Sequence, residues 1–233
     1  MDKWFYNPEN PFNMWETAHV ITIGFALICF ACVFIFQKSL KPYRRKIRLT
    51  VGWTLLISRL SLDYWYISND QWYVSSSLPF ELCSIASIMC AIMLLTKSKV
   101  LFEVFYFIAI GGAIQAILTP ELLLGFPQYR FIQFFLDHTL LIMAPLIMIS
   151  LYNYTITFKS LIKSFLTLNL IAVLVYIINH LINANYMFLM HKPRTASIID
   201  YLGPYPYYIL SLEAVAFMMF MILYLPFSRK KGT

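Results

Sequence analysis

The chain has 233 residues, of which 60% are hydrophobic and 12% charged, whereas soluble domains are about 45–50% apolar and about 25% charged. This imbalance excludes an ordinary soluble globular enzyme. The formal net charge of +7 comes from basic residues between long apolar runs, so it indicates a bilayer and not nucleic acid as the partner. We expect a single integral membrane domain over residues 1–233.

Seven apolar runs have the length that a helix needs to cross a bilayer. In chain order they cover residues 19–36, 49–67, 78–95, 100–118, 131–151, 161–182 and 207–225. They predict an all-α fold, a polytopic membrane helical bundle of about seven transmembrane helices. The second and seventh runs also carry ionisable groups.

The Lys and Arg residues predict the orientation of the bundle. Most of them follow the odd-numbered runs, in segments 38–48, 97–99, 159–163 and 229–231. The opposite side collects only Lys3, Arg130, Lys192 and Arg194. Because short basic segments stay on the cytoplasmic side, we expect the N-terminus outside and the C-terminus in the cytoplasm.

Polar side chains within five of the predicted spans lie at one level. A charge inside the membrane costs several kcal/mol or more, so such residues are functional candidates. Counted at about 1.5 Å per residue, they all fall in the outer half. They are Arg59, Asp63, Glu81, Cys83, Gln133, Asp137, His138, Asn179, His180 and Glu213. This clustering predicts a hydrated polar cavity that opens outward.

Several of these residues also have a structural interpretation. Arg59 and Asp63, four residues apart, are spaced for an intrahelical ion pair. Glu81 is placed to stabilise the start of the third span. Glu213 is as well suited to a structural hydrogen bond as to a substrate contact, and His180 is suited to the membrane interface.

Cys83 and His138 differ from the others because together they could supply a nucleophile and its base. An imidazole can take the proton of a thiol, and the thiolate can then carry an acyl group. A cysteine and a histidine at the same depth can also be a coincidence in a chain with four cysteines. The remaining three, Cys29, Cys32 and Cys90, are expected to be packed hydrophobic side chains.

The segment from Asn183 to Pro206 is long for a connection in such a compact chain. It mixes aromatic residues with Pro193, Gly203 and Pro204. Long structured loops are often functional lids, whereas the tyrosines also suit an aromatic belt at the membrane interface.

Four motifs carry a family resemblance: LPFELCS at 78–84, FPQYRFIQFFLDH at 126–138, NYMFLMHKP at 185–193 and DYLGPYPYYIL at 200–210. They resemble the YwaF-like bacterial integral membrane proteins and, more distantly, a vertebrate transmembrane acyltransferase of ether phospholipids. The resemblance implies a bacterial plasma membrane protein that transfers acyl groups among phospholipids. It further implies that Cys83 carries the acyl group and that His138 is the general base and acid. Glu81 stands where this family often has histidine.

Our leading hypothesis is an acyltransferase or transacylase that acts on phospholipids from the outer leaflet through a thioester. Asp63, Asp137 and Glu213 are candidates to orient the imidazole, although Asp137 points about 100° around the helix from His138. The alternative is a solute-binding or transport protein whose site includes Arg59, Asp63 and Glu213. We expect membrane phospholipids as substrate and solvent, and no nucleic acid, cofactor or metal.

Overall fold

The computed structural model describes residues 5–193 and 198–228. Within them, one long helix corresponds to each of the seven predicted spans. These helices are α1 (Thr17–Ile35), α2 (Arg44–Ser68), α3 (Leu82–Thr96), α4 (Lys99–Leu118), α5 (Tyr129–Tyr152), α6 (Phe158–Ile182) and α7 (Tyr207–Ser228). The all-α helical bundle predicted from the sequence is confirmed.

The described residues also contain several short helical turns between the long helices. The connection from α1 to α2 contains the helical turns Gln37–Leu40 and Lys41–Tyr43. The connection from α6 to α7 contains two 3-10 turns, Tyr186–Phe188 and Ile198–Leu202. Before α1, Pro11 forms a single antiparallel bridge with Leu124 in the α4–α5 loop, so the N-terminal segment crosses that end of the bundle.

Five of the described helices, α1, α4, α5, α6 and α7, are long and apolar enough to cross a membrane. Helix α2 has sufficient length but carries several charged side chains. Helix α3 is apolar but has only 15 residues, or about 22 Å, against a hydrocarbon core of about 30 Å.

The predicted third span began too early. Residues 78–81 are not helical, and α3 begins only at Leu82. Pro79 restricts the residue before it to extended backbone, and the segment is held by hydrogen bonds to other parts of the chain. One of these joins the Leu78 N–H to the Tyr186 hydroxyl.

Helices α4 and α5 form the centre of the bundle, because residues around most of their circumference are buried. Helices α1, α6 and α7 instead expose large apolar side chains such as Phe25, Leu166 and Leu210. A helix that is apolar on its outward face is suited to contact with lipid. Helices α2, α3 and α5 pack against one another, which positions the site described next.

Some residues used to predict the orientation, namely Lys3, Arg194, Arg229, Lys230 and Lys231, lie outside the described residues. The remaining basic segments lie at the α1–α2, α3–α4 and α5–α6 connections, as the helix order requires.

Candidate functional site

A hydrogen-bonded group of side chains joins α2, α3 and α5 at the level predicted from the sequence. Three bonds link the helices: Tyr129 donates to Ser61 Oγ at 2.7 Å, Gln133 Nε2 to Ser58 Oγ at 3.1 Å, and Ser87 Oγ to Asp137 Oδ1 at 3.2 Å. We call these six residues the polar network. It holds together the three helices that carry most of the predicted site.

Most of the polar network is packed in the interior of the bundle. Ser58, Ser87, Gln133 and Asp137 are buried, whereas Ser61 and Tyr129 are partly exposed. Two depressions of the surface lie elsewhere, on the outside of α6 and beside Trp72. The buried members satisfy one another's hydrogen bonds, as buried polar groups require, and the outward-opening cavity stays a prediction.

His138 follows Asp137 on α5 and is buried. Its Nδ1 lies 2.8 Å from the Phe134 carbonyl oxygen, and its ring packs on the Phe134 ring at 4.2 Å between centroids. Because a carbonyl oxygen only accepts, Nδ1 carries the proton and Nε2 retains its lone pair. Among the described residues, no hydrogen bond occupies Nε2.

The orientation of this imidazole therefore has a different origin from the one predicted. Asp63, Asp137 and Glu213 were the candidates, and none of them bonds to His138 in the described structure. The carbonyl one turn earlier performs that role, because helical side chains lean toward the N-terminal turn.

Cys83 is the second residue of α3 and is partly buried. Its sulfur is close to Gly112 of α4, since a Cβ added to that glycine would lie 3.7 Å from the sulfur. The Cys83 side chain therefore points into the bundle. Ser87 lies one turn further along the same face of α3 and bonds to Asp137, the neighbour of His138. Ser87 thus places the Cys83 face of α3 against Asp137, while His138 points about 100° around α5 from Asp137.

Arg59 and Asp63 form an ion pair within α2 at 2.6 Å. Arg59 also donates to the Ser77 carbonyl at 2.9 Å. The Arg59 side chain is 11% exposed and that of Asp63 is 33% exposed. The pair therefore fastens the loop before α3 to α2.

Glu81 does not cap α3 through its side chain. Its Oε2 instead accepts the backbone N–H of Met187 at 3.0 Å. The carboxylate lies two residues before Cys83 and holds the connection between α6 and α7 at this end of the bundle.

We call residues 184–193 the outer segment. Asn179 of α6 bonds to both backbone groups of Tyr186 at 2.9 Å, and the Tyr186 hydroxyl donates to the Val74 carbonyl at 2.7 Å. Burial raises the pKa of the Tyr186 phenol, which therefore remains protonated and able to donate. The outer segment is thus an ordered cover over the start of α3.

The sequence profile of the TMEM164 family matches residues 13–224. The chain belongs to the TMEM164 family. The match spans all seven helices nearly in full, together with the polar network, Cys83, His138 and the outer segment. Searches of curated proteins and of solved structures find no significant match. The family and the apolar helices together establish a multi-pass membrane protein.

Two predicted site residues of this family member lie apart from the polar network. Glu213 of α7 accepts a hydrogen bond from Asn169 of α6 at 2.9 Å, and α7 packs on α6 and α4. His180 is exposed on α6, edge-to-face with Tyr176. Both face other parts of the bundle than the polar network, because depth along a helix does not determine direction around it.

The hydroxyl residues of the network were not among the site residues predicted from the sequence. They are Ser58, Ser61, Ser87 and Tyr129. Serine and tyrosine are common at helix contacts and membrane interfaces, so their presence alone is a weak signal. Stronger signals were available in the spacing, since Ser58 and Ser61 flank the charged Arg59 on α2, and Ser87 follows Cys83 by one turn.

Proposed function

We propose that this protein is a membrane-embedded acyltransferase or transacylase that acts on phospholipid acyl chains through Cys83 and His138. The observation that carries the proposal is the state of His138. Its Nδ1 is fixed by a backbone carbonyl, so Nε2 keeps its lone pair, and His138 is next in sequence to Asp137, which α3 contacts through Ser87. The resemblance to the YwaF-like proteins and to the ether-phospholipid acyltransferase supports the same pair.

The reaction has two halves. In the first, His138 Nε2 accepts the Cys83 proton while the sulfur attacks the ester carbonyl carbon of a phospholipid. The ester C–O bond breaks, the imidazolium returns the proton to the leaving oxygen, and a lysophospholipid departs from the thioester. In the second, Nε2 takes the proton of an acceptor hydroxyl, whose oxygen attacks the thioester carbonyl carbon. The C–S bond breaks, the acylated acceptor departs, and the imidazolium returns the proton to the Cys83 sulfur.

The position of Cys83 along α3 supports a lipid substrate. Thirteen residues separate it from Thr96 at the opposite end of α3, or about 20 Å. The ester carbonyls lie at the two boundaries of a hydrocarbon core about 30 Å thick. With Thr96 at one boundary, Cys83 lies about 10 Å inside the other, among the upper acyl chains, so a substrate ester must move inward to reach it. The N-terminal end of α3 carries partial positive charge, which favours the oxyanion of the tetrahedral intermediate.

Access to the site requires the outer segment to move. Glu81, two residues before Cys83, accepts the hydrogen bond from the Met187 N–H. The same short stretch of chain therefore carries the nucleophile and the contact that keeps the outer segment in place. A phospholipid that enters from the outer leaflet would displace this contact.

Turnover of a phospholipid with a labelled acyl chain, by purified protein in liposomes, tests the proposal. We expect Cys83→Ser to lower the rate at least about 100-fold, and His138→Ala to lower both half-reactions about 100-fold. Cys90→Ser is the matched control, because Cys90 is fully buried two turns further along α3. Its folded fraction should retain the wild-type rate.

The opposite outcome is equally specific. Continued lipid remodelling by Cys83→Ala would show that Cys83 is not the nucleophile. Absence of any lipid product in the wild type, with Glu213-dependent binding of a small polar solute, would replace the enzyme by a solute-binding or transport protein.

The outer-leaflet assignment has its own test. In a variant with the four native cysteines replaced by alanine, single cysteines are placed at Ser75 and Lys41, both exposed. An impermeant thiol reagent on intact cells should label position 75 and not position 41. The reverse pattern would put the site on the cytoplasmic side.

A further inference from the structure

The end of the bundle opposite the polar network is strongly basic. We call it the basic end, formed by segments 38–48, 97–99 and 159–163. Among the described residues at this end, Glu103 is the one acidic side chain, and it already pairs with Lys163 at 3.4 Å. The basic end therefore lacks anions of its own for most of its cations.

Arg48 is the unusual member of this group because it is buried, with 6% of the residue exposed. Its Nε donates to the Tyr152 hydroxyl at 3.1 Å. Its Nη1 is buried and has no hydrogen-bond partner in the part of the chain that the structure describes. A buried charged donor without an acceptor is costly, so this nitrogen indicates a missing anionic ligand.

A second arginine converges on the same place. Arg44 lies one turn before Arg48 on α2, and its guanidinium is 5.4 Å from the centre of the Tyr152 ring, compared with 5.9 Å for Arg48. Like charges four residues apart on a helix repel each other. The aromatic ring offsets part of this repulsion, and an anion between the two arginines would offset the rest.

We propose that Arg44 and Arg48, positioned by Tyr152, bind the phosphate of an anionic phospholipid at the basic end. The guanidinium group presents a planar pair of donors that matches two phosphate oxygens. Membrane phosphates lie at the ends of the spans, where these arginines are.

This site is independent of Cys83 and of the proposed reaction. It lies at the other end of α2 from the polar network, so loss of lipid binding here and loss of turnover there are separate results.

Binding can be measured by native mass spectrometry and by the thermal unfolding midpoint of detergent-purified protein titrated with phosphatidylglycerol or phosphatidylcholine. We expect phosphatidylglycerol to bind and raise the midpoint, and phosphatidylcholine to do neither. Arg48→Gln should weaken phosphatidylglycerol binding at least about tenfold, and Arg48→Lys, which keeps the charge but not the paired donors, should restore it only in part.

Two further variants keep the test decisive. Arg44 is exposed, so Arg44→Gln should fold normally and weaken binding about threefold. Lys46→Gln removes the same charge from another face of the same turn and should change binding less than about twofold.

Three results would overturn the proposal: equal binding of both lipids, unchanged affinity in Arg48→Gln and Arg44→Gln, or equal loss in Lys46→Gln. The same titration is also carried out with inorganic phosphate alone. An equal rise in midpoint with phosphate alone would assign the site to a free anion and not to a lipid.

Discussion

The contact between α2, α3 and α5 has two halves that are held together differently. In the half that contains the polar network, called the outer half after the predicted orientation, hydroxyl, amide and carboxylate groups bond across the helices, as between Ser87 and Asp137. In the inner half the same helices meet through close apolar packing. If Gly52 of α2 carried a Cβ, that atom would lie 3.3 Å from the Leu94 Cβ of α3, which is closer than nine in ten Cβ contacts in proteins.

The difference shows how stability and chemistry are separated in this bundle. Lipid is as apolar as the helix surfaces, so helices in a membrane associate through close packing and interhelical hydrogen bonds. The inner half relies mainly on packing, with the Arg48–Tyr152 hydrogen bond at its end. The outer half uses polar groups, each a modest contribution to stability, with Cys83 one turn before Ser87 on α3 and His138 next in sequence to Asp137 on α5.

The largest expected effect on stability is in the inner half. Leu94 is fully buried, and Leu94→Ala should lower the free energy of unfolding by about 2–5 kcal/mol, because a cavity remains where the side chain packed. Reversible unfolding in mixed micelles measures this. Leu166→Ala, on the exposed face of α6, is the control and should change stability by less than about 0.5 kcal/mol. Equal costs at the two positions would mean that the inner half is not tightly packed.

An intermediate effect is expected for the ion pair on α2. Arg59→Ala alone should cost about 1–3 kcal/mol, because it leaves Asp63 and the Ser77 carbonyl without their donor. The double variant Arg59→Ala with Asp63→Ala should be closer to wild type, since no unpaired carboxylate remains. Unfolding midpoints of the two variants provide the comparison. A double variant as unstable as the single one would show that the loop contact to Ser77 matters and the ion pair does not.

The smallest effect is expected within the polar network. Ser87→Ala should cost about 0.6 kcal/mol, the average for an interhelical hydrogen bond in a membrane. A double-mutant cycle with Asp137→Ala, which removes the acceptor, should recover a coupling of about that size. A coupling energy of zero would show that Ser87 and Asp137 do not interact. It would also weaken the argument that α3 and α5 meet at the site.

Much of the fold could be predicted because the apolar runs are long and their ends are marked by charges. Depth along each helix can be counted from the sequence, since a residue count converts directly into distance. The start of α3 could not be predicted, because it depends on distant residues. Tyr186 holds Leu78 across 108 positions of sequence, and no local pattern around Pro79 indicates that contact.

The composition of the site was only partly predictable for a related reason. Periodicity gives the angle between side chains on one helix but not the neighbour that each helix faces. Glu213 and His180 were therefore grouped with His138 by depth, although their contacts are with Asn169 and Tyr176. The backbone carbonyl of Phe134, which fixes the imidazole, leaves no mark in the sequence because every residue has one.

The most direct test of the Cys83 nucleophile is the mass of the protein after reaction. Purified protein is incubated with a phospholipid of one defined acyl chain, quenched in acid and analysed by intact-mass and peptide-mass spectrometry. We expect a mass increase of one acyl group, located on the peptide with Cys83, removed by hydroxylamine and absent from Cys83→Ser. In His138→Ala the adduct should form about 100-fold more slowly. Lipid remodelling without any adduct, or an adduct on Cys29, Cys32 or Cys90 that survives in Cys83→Ser, would contradict the account.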